Sequence, residues 1–255
     1  MDFTVVIPAR YQSSRFPGKP LANIQGKPMV QHVVDRANEA GASKVIVATD
    51  DERIASVAEQ FATVVMTATT HTSGTERIAE VIQSQKIADD TIIVNVQGDE
   101  PFVPADNIRQ VAANLAANPA MQMATLCTRI SHEDDVFNPN IVKVVFSATG
   151  KALYFSRSVL PFARDTMMQA PVSADPGLYY RHIGLYAYRA SYVNQYVSYE
   201  PSALEQIESL EQLRALWYDD AIHIEEALSE PPVGIDTPDD LTTLLASLSA
   251  RPEGL

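Results

Sequence analysis

Cysteine is nearly missing from this chain. Cys127 stands alone, inside the apolar run MATLCTRI. A single thiol excludes an intramolecular disulfide, and with only five histidines a structural zinc site is not expected. Its apolar flanks fit a buried, inert thiol. No run approaches the ~18 apolar residues of a membrane-spanning helix. The N-terminus also lacks a charged stretch followed by a long apolar one, so neither a membrane span nor a signal peptide is expected, and cytoplasmic residence is. Positive charge is scarce as well: Lys and Arg number 19 against 32 Asp and Glu, a formal net charge of -13. That balance excludes general nucleic-acid binding, which needs a broad basic surface. There is no GxGxxG. Gly18-Lys19 is followed by Pro20, where a P-loop needs Ser or Thr for magnesium.

One local absence is more informative. No Asp or Glu occurs from Phe3 through Val34, yet Arg10, Arg15, Lys19 and Lys27 do. Phe3 to Ile7 is a short apolar run rich in β-branched residues and reads as a buried strand. Pro8, Pro17 and Pro20 keep the loop after it from becoming a helix. A cation-only loop at the C-terminal end of a strand, in an acidic protein, points to a small anionic ligand. Open α/β sheets bind ligands there, and arginine and lysine suit phosphate. A merely solvated basic loop is the competing reading.

The 255 residues, 46% of them hydrophobic, suffice for one large α/β domain. Helical spacing marks Met29 to Ala40, the stretch after Asp50-Asp51, Thr75 to Gln85 and Pro104 to Ala117. Strands are expected at Lys44–Thr49, Thr63–Met66, Thr91–Val96 and Met121–Ile130. This alternation implies right-handed βαβ units and a mostly parallel sheet. Beyond about residue 130 the character changes without a linker. Ile141–Ser147 and Lys151–Arg157 read as a hairpin around Ala148-Thr149-Gly150, Tyr179–Arg189 as a strand, and Phe162–Gly177 as a mobile loop. Leu204–Trp217 is expected to be one amphipathic helix, with Leu204, Ile207, Leu210, Leu213 and Trp217 on its core face. Ile222–Glu226 is expected as a strand and Pro238–Leu248 as the closing helix. The chain therefore reads as one domain with an alternating βαβ half, 1–130, and a second half of different topology, 131–255.

Three further stretches carry candidate chemistry. NVQGDEPF, Asn95 to Phe102, comes directly after a strand, so Gly98 can turn the chain and place Asp99 on the rim that carries the basic loop. Cations and a carboxylate around one ligand suggest phosphate with magnesium, which prefers one or two carboxylates and substrate oxygens. HTSGTER, His71 to Arg77, brings Ser73 and Thr75 to a helix start, where they can equally serve as caps. In GIDTPDDL, Thr237 and Asp240 fit a capping box that does not require Asp236, leaving Asp236 open as a second metal carboxylate.

As an ordered set, IPARYQSSRFPGKPL, HTSGTER, NVQGDEP, FNPNIVKVV, ALYFSR, RHIGLYAY, LEQIESLEQLRALW and GIDTPDDL closely resemble the 3-deoxy-manno-octulosonate (Kdo) cytidylyltransferases, the CMP-Kdo synthetases of Gram-negative bacteria. The likeness runs from residue 3 to about residue 245, and the RxxxxRxPGKPL loop is shared more loosely with other nucleotidyltransferases. It implies a Rossmann-like nucleotide-diphospho-sugar transferase fold, α/β and mostly parallel, with a smaller mixed β lobe for dimerisation and sugar binding. It implies CTP and Kdo as substrates, Mg2+ as cofactor, a homodimer, and a place in lipopolysaccharide synthesis. Carried onto this chain, Arg10 and Lys19 would hold the triphosphate with help from Arg15. Ala9, Ser73 and Arg77 would lie near the cytidine. Asp99 and Asp236 would bind magnesium. Gln97, Arg157, Arg164, His182, Tyr186, Glu211 and Gln212 would surround the sugar acid.

The residues leave plainer readings beside these. Arg157 can be a solvated strand end, Glu211 the wet face of its helix, and His182 a half-buried strand histidine. His182 and Tyr186, four apart on a strand, would share a face. The competing functions are a sialate-type cytidylyltransferase or sugar-1-phosphate uridylyltransferase, and a non-catalytic nucleotide-binding module. A DxD-type glycosyltransferase is disfavoured, because Asp50-Asp51 and Asp89-Asp90 lack that spacing.

Overall fold

A computed structural model describes residues 1–12, 16–232, 234–235 and 237–249. The elements run β1 (Thr4–Ala9), β2 (Asn23–Ile24), β3 (Lys27–Pro28), α1 (Met29–Glu39), β4 (Lys44–Thr49), α2 (Glu52–Ala58), β5 (Thr63–Met66) and α3 (Gly74–Ser84). Next come β6 (Ile92–Asn95), α4 (Ala105–Ala117), β7 (Met123–Arg129), α5 (Glu133–Phe137), β8 (Lys143–Phe146), β9 (Ala152–Ser156), α6 (Arg164–Met167) and β10 (Tyr180–Arg189). The chain closes with α7 (Ala190–Tyr196), α8 (Ala203–Glu208), α9 (Gln212–Trp217), β11 (Ile222–Glu226) and α10 (Pro238–Ser249).

The central sheet has the order β11-β7-β10-β6-β1-β4-β5, with the β8–β9 hairpin branching from β10. Strands β6, β1, β4 and β5 are parallel neighbours, as are β7 and β11, while β10 runs antiparallel between β6 and β7. The mostly parallel sheet expected from the alternation is present. Its strands are buried on both faces: Val5, Val6 and Ile7 of β1 and Ile93 and Val94 of β6 are fully enclosed. One core packs α1 and α4 on one face, and a second packs α3 and α7 on the other. Because β10 inserts between two strands of the first half, the second half is no separate sheet; its hairpin extends the main one.

The strand order reverses at β1, with β4 on one side and β6 on the other, and the crevice outside the carboxyl ends of strands at such a switch point is where open α/β sheets bind ligands.

Two sequence expectations need correction. Leu204–Trp217 is not one helix: Ser209 takes a left-handed conformation, φ 51°, and separates α8 from α9. The break turns Ile207 and Trp217 outward, 81% and 52% exposed, while Leu210 and Leu213 stay buried. The capping box of Ser202 and Glu205 starts α8, and the Glu205–Arg214 ion pair at 2.5 Å then ties α8 to α9 across the break. Periodicity alone did not carry that tertiary tie. Likewise, Phe162–Gly177 is not all loop, since it contains α6 and leads into a short 3-10 turn at Pro176–Leu178. Among the described residues, no helix is long and apolar enough to cross a membrane.

Candidate active site

The cation-rich loop folds back on itself at the end of β1. Gly18 sits at φ 72°, donates its N–H to the Tyr11 carbonyl at 2.8 Å, and lacks the Cβ that would stand 3.1 Å from the Tyr11 ring. This turn starts the 3-10 segment Lys19–Leu21. Lys19 is thereby buried, with Nζ donating to Asp99 Oδ2 at 2.5 Å and to the Ile235 carbonyl at 2.9 Å. Asp99 reaches it because Gly98 lies against β1: a Cβ on Gly98 would come 2.9 Å from the Pro8 carbonyl oxygen. The glycine is thus required by the close approach of two backbones.

Around these groups lies a cavity of about 440 Å³, lined by Ala9, Arg10, Lys19, Ser73, Arg77, Gln97 and Asp99, among others. Arg10, Lys19 and Asp99 share one hollow, as the charge pattern required. Arg10 is exposed to it and forms no ion pair among the described residues. Ser73 is the N-cap of α3, accepting from Glu76 N–H at 3.2 Å, so capping and cavity-lining coexist in one residue. Arg77 is 3% exposed; it pairs with Asp50 at 3.0 Å and donates to Thr67, so it stiffens the floor. His71, at the head of the HTSGTER motif, also lines this cavity, held by Glu80 at 2.5 Å.

A second cavity, about 380 Å³, shares Arg10, Ser73, Gly74 and Gln97 with the first. Its own wall includes Tyr186 and Tyr188 of β10, Tyr196 of α7, and Glu211 and Gln212 at the start of α9. Glu211 accepts from Thr75 Oγ1 at 3.3 Å, and burial of its carboxyl against the tyrosines raises its pKa. Burial likewise holds the Tyr186 and Tyr188 phenols well above their usual range, so both present O–H donors.

Two residues of this wall carry no signal in the sequence. Asn95, at the end of β6, is buried with a carboxamide oxygen that meets no donor among the described residues. Glu100 faces both this cavity and a third, of about 200 Å³; burial, then the neighbouring Asp99 charge, pushes its pKa up to about 7. Glu100 lies inside the NVQGDEPF motif, but nothing in its sequence distinguishes it from a turn residue.

The remaining candidates fall elsewhere. His182 lines the third cavity, touches Thr125 Oγ1 at 3.0 Å and sits edge-on to Phe155; burial depresses its pKa to about 3, so it stays neutral. Its ring centre is 5.4 Å from that of Tyr186, although an irregularity in pairing interrupts β10 between Ile183 and Tyr186. Arg157 does not line either of the first two cavities. Its guanidinium donates to the carbonyls of Glu208, Pro139 and Ser209 at 2.6, 3.1 and 3.3 Å. Arg164 opens α6, is exposed and lines none of the three cavities. Arg15 and Asp236 lie outside the described residues. Thr237 and Asp240 do form the capping box, with Thr237 N–H donating to Asp240 at 2.8 Å and Asp240 N–H to Thr237 Oγ1 at 3.2 Å.

The cytidylyltransferase family model matches residues 4–224. A 3-deoxy-manno-octulosonate cytidylyltransferase from Alteromonas mediterranea is 68% identical over 248 residues, covering 97% of this chain and 100% of the relative. The chain belongs to this cytidylyltransferase family. A relative of the same description from Vibrio vulnificus is 57% identical over 98% of the chain and 100% of its own length. Among solved structures, a CMP:2-keto-3-deoxy-manno-octonic acid synthetase complexed with CTP superposes with a TM-score of 0.87 at 40% identity, covering 98% of this chain and 99% of that one. A 4-diphosphocytidyl-2C-methyl-D-erythritol synthase, 9% identical with a TM-score of 0.64, shares the fold. Membership agrees with the geometry of a cationic cavity beside a polar, tyrosine-rich one.

Proposed function

We propose that this protein transfers the cytidylyl group of CTP to the anomeric hydroxyl of 3-deoxy-D-manno-octulosonate, giving CMP-Kdo and diphosphate. The observation that carries the reading is the adjacency of the two cavities at Arg10 and Gln97. One offers guanidinium and ammonium to a triphosphate; the other offers amide, phenol and carboxyl groups to a polyhydroxylated acid. The reaction brings two anions together, so neutralising charge and aligning the reactants is most of the task.

Arg10 and Lys19 bind the triphosphate, and the departing diphosphate keeps both cations beside it. Gln97 stands at the junction, where it can orient the attacking hydroxyl. That hydroxyl forms a bond to the α-phosphorus as the bond to the bridging oxygen breaks. A hemiketal hydroxyl is more acidic than an ordinary alcohol, so it needs no strong base. Tyr186, Glu211 and Gln212 read the sugar hydroxyls.

Asp99 fits a hard divalent cation: its side chain is 35% exposed to the cavity, and its second oxygen has no hydrogen-bond donor among the described residues. Magnesium takes much of its shell from substrate and water, so one or two carboxylates suffice to hold it. Asp99 and Asp236 would hold magnesium, which supplies charge neutralisation and a lowered pKa for the attacking hydroxyl.

A homodimer, cytoplasmic residence and a place in lipopolysaccharide synthesis belong to the same reading. The test is diphosphate release across CTP, UTP, Kdo and sialic acid. Release with CTP and Kdo is expected; release with UTP and a sugar phosphate, but not with CTP and Kdo, overturns the proposal.

A further inference from the structure

We infer, resting on the cytidylyltransferase reading above, that Glu208 and Lys143 are positioning residues for the sugar-side cavity: they pin residue 157 from both sides, and Arg157 in turn holds the α8–α9 turn that presents Glu211 and Gln212.

Residue 157 comes just after β9, and all its polar groups are engaged. Its N–H donates to Glu208 Oε2 at 2.9 Å, and its carbonyl accepts from Lys143 Nζ at 2.8 Å. Its guanidinium spans the carbonyls of Pro139, Glu208 and Ser209. Glu208 also accepts from the buried Ser156 hydroxyl at 2.7 Å, so its carboxylate fastens the end of α8 to the end of β9. Glu208 and Arg157 thus grip each other twice, once through each backbone.

Lys143 anchors the far side. It is fully buried, with its three donors on the carbonyls of Asn138, Ile141 and Arg157 at 2.8, 2.6 and 2.8 Å. Burial and the nearby guanidinium lower its pKa. A methionine would fill the same space without desolvating a charge, so packing alone does not call for an ammonium. The ammonium supplies three fixed hydrogen-bond directions that hold the 138–141 segment, β8 and residue 157 in register.

The turn that Arg157 grips needs holding. Ser209, a non-glycine residue at φ 51°, occupies the left-handed region, where its Cβ crowds the backbone. From the other side, Tyr196 donates its hydroxyl to the Glu211 carbonyl at 2.8 Å. Glu211 and Gln212 therefore face the cavity from a strained turn clamped at two points. Removing the Arg157 clamp leaves the CTP-side cavity intact, because that cavity draws no residue from this network.

The experiment is steady-state diphosphate release by the full chain, varying Kdo at saturating CTP and then CTP at saturating Kdo. Glu208→Ala is expected to raise KM for Kdo about tenfold, the scale of one lost hydrogen bond to a charged group, while KM for CTP moves less than about twofold. Glu208→Gln, which keeps an acceptor oxygen, recovers part of the loss, and Lys143→Met moves KM in the same direction as Glu208→Ala. Should Lys143→Met fail to fold, Glu208→Ala carries the test, its fold verified by CTP binding at wild-type affinity. An unmoved KM for Kdo, or an equal rise in both KM values, overturns the inference while wild-type turnover leaves the reaction standing. A wild-type protein with no turnover overturns the reaction itself, and this inference with it.

Discussion

The two cavities that meet at Arg10 and Gln97 are built in opposite ways. The cationic one is assembled from loops at the carboxyl ends of neighbouring parallel strands, β1 and β6, with the start of α3 beside them. Each loop is a short contiguous stretch, and the βαβ topology brings the stretches together. The tyrosine-rich one depends on an antiparallel strand inserted from late in the chain and on a turn that interrupts a helical pattern. Local sequence therefore governs the first, and long-range contacts govern the second. Damage to the first should fall on chemistry, and damage to the second on sugar affinity.

The largest effect is expected at Asp99. Asp99→Asn keeps an acceptor for Lys19 but removes the charge, and kcat should fall by about 10²–10³-fold, the scale of losing one preorganised electrostatic group. Metal-free CTP binding, measured by calorimetry, should change little; a variant that keeps wild-type turnover would erase the contrast between the cavities. Next, Glu211→Gln should raise KM for Kdo about tenfold, a loss near the value of one hydrogen bond to a charged group, and leave KM for CTP alone. A matching rise in KM for CTP would show that the cavities are not separable.

A smaller effect concerns the junction. Glu100 has a folded-state pKa of about 7 against an ordinary 4.5. Below pH 4.5 it is protonated in both folded and unfolded chains and costs nothing. As pH rises towards 7 the unfolded chain releases its proton first, so stability from this group is lost across that window and does not return above it. In metal-free protein, Glu100→Gln should therefore raise Tm at pH 8 and leave it unchanged at pH 4, each kcal/mol being worth about 2–4 °C in a chain this long. A Tm gain of equal size at both pH values would remove Glu100 from the account. The smallest effect is Ile207→Ser, expected to change stability by no more than about 0.5 kcal/mol in a denaturant melt, because the side chain is solvated. A core position on an unbroken helix would instead lose several times that.

That last contrast shows where the sequence was legible. Strands β4, β5 and β11 fall on the boundaries that apolar runs and turn residues suggest, and so does most of the parallel sheet. Lys19 and Asp99 were legible because a missing charge sign and a glycine after a strand are local signals. The break at Ser209 was not, because the Glu205–Arg214 pair and the Arg157 grip that accompany it are tertiary. For the same reason Arg157, which the resemblance places at the sugar acid and its strand-end position leaves solvated, in the structure spends its guanidinium on three carbonyls. Asn95 and Glu100 give no local signal, since what sets them apart is their surroundings: an amide oxygen that meets no donor among the described residues, and a carboxyl shared between hollows.

The two cavities divide the labour across one shared boundary, and a crystal structure with a non-hydrolysable CTP analogue, magnesium and Kdo tests this most directly. The expected density places the phosphates among Arg10, Lys19 and Asp99, and the sugar acid beside Gln97, Tyr186, Glu211 and Gln212. Phosphates bound away from Arg10 and Lys19, or a sugar acid seated outside the tyrosine-rich cavity, would contradict it.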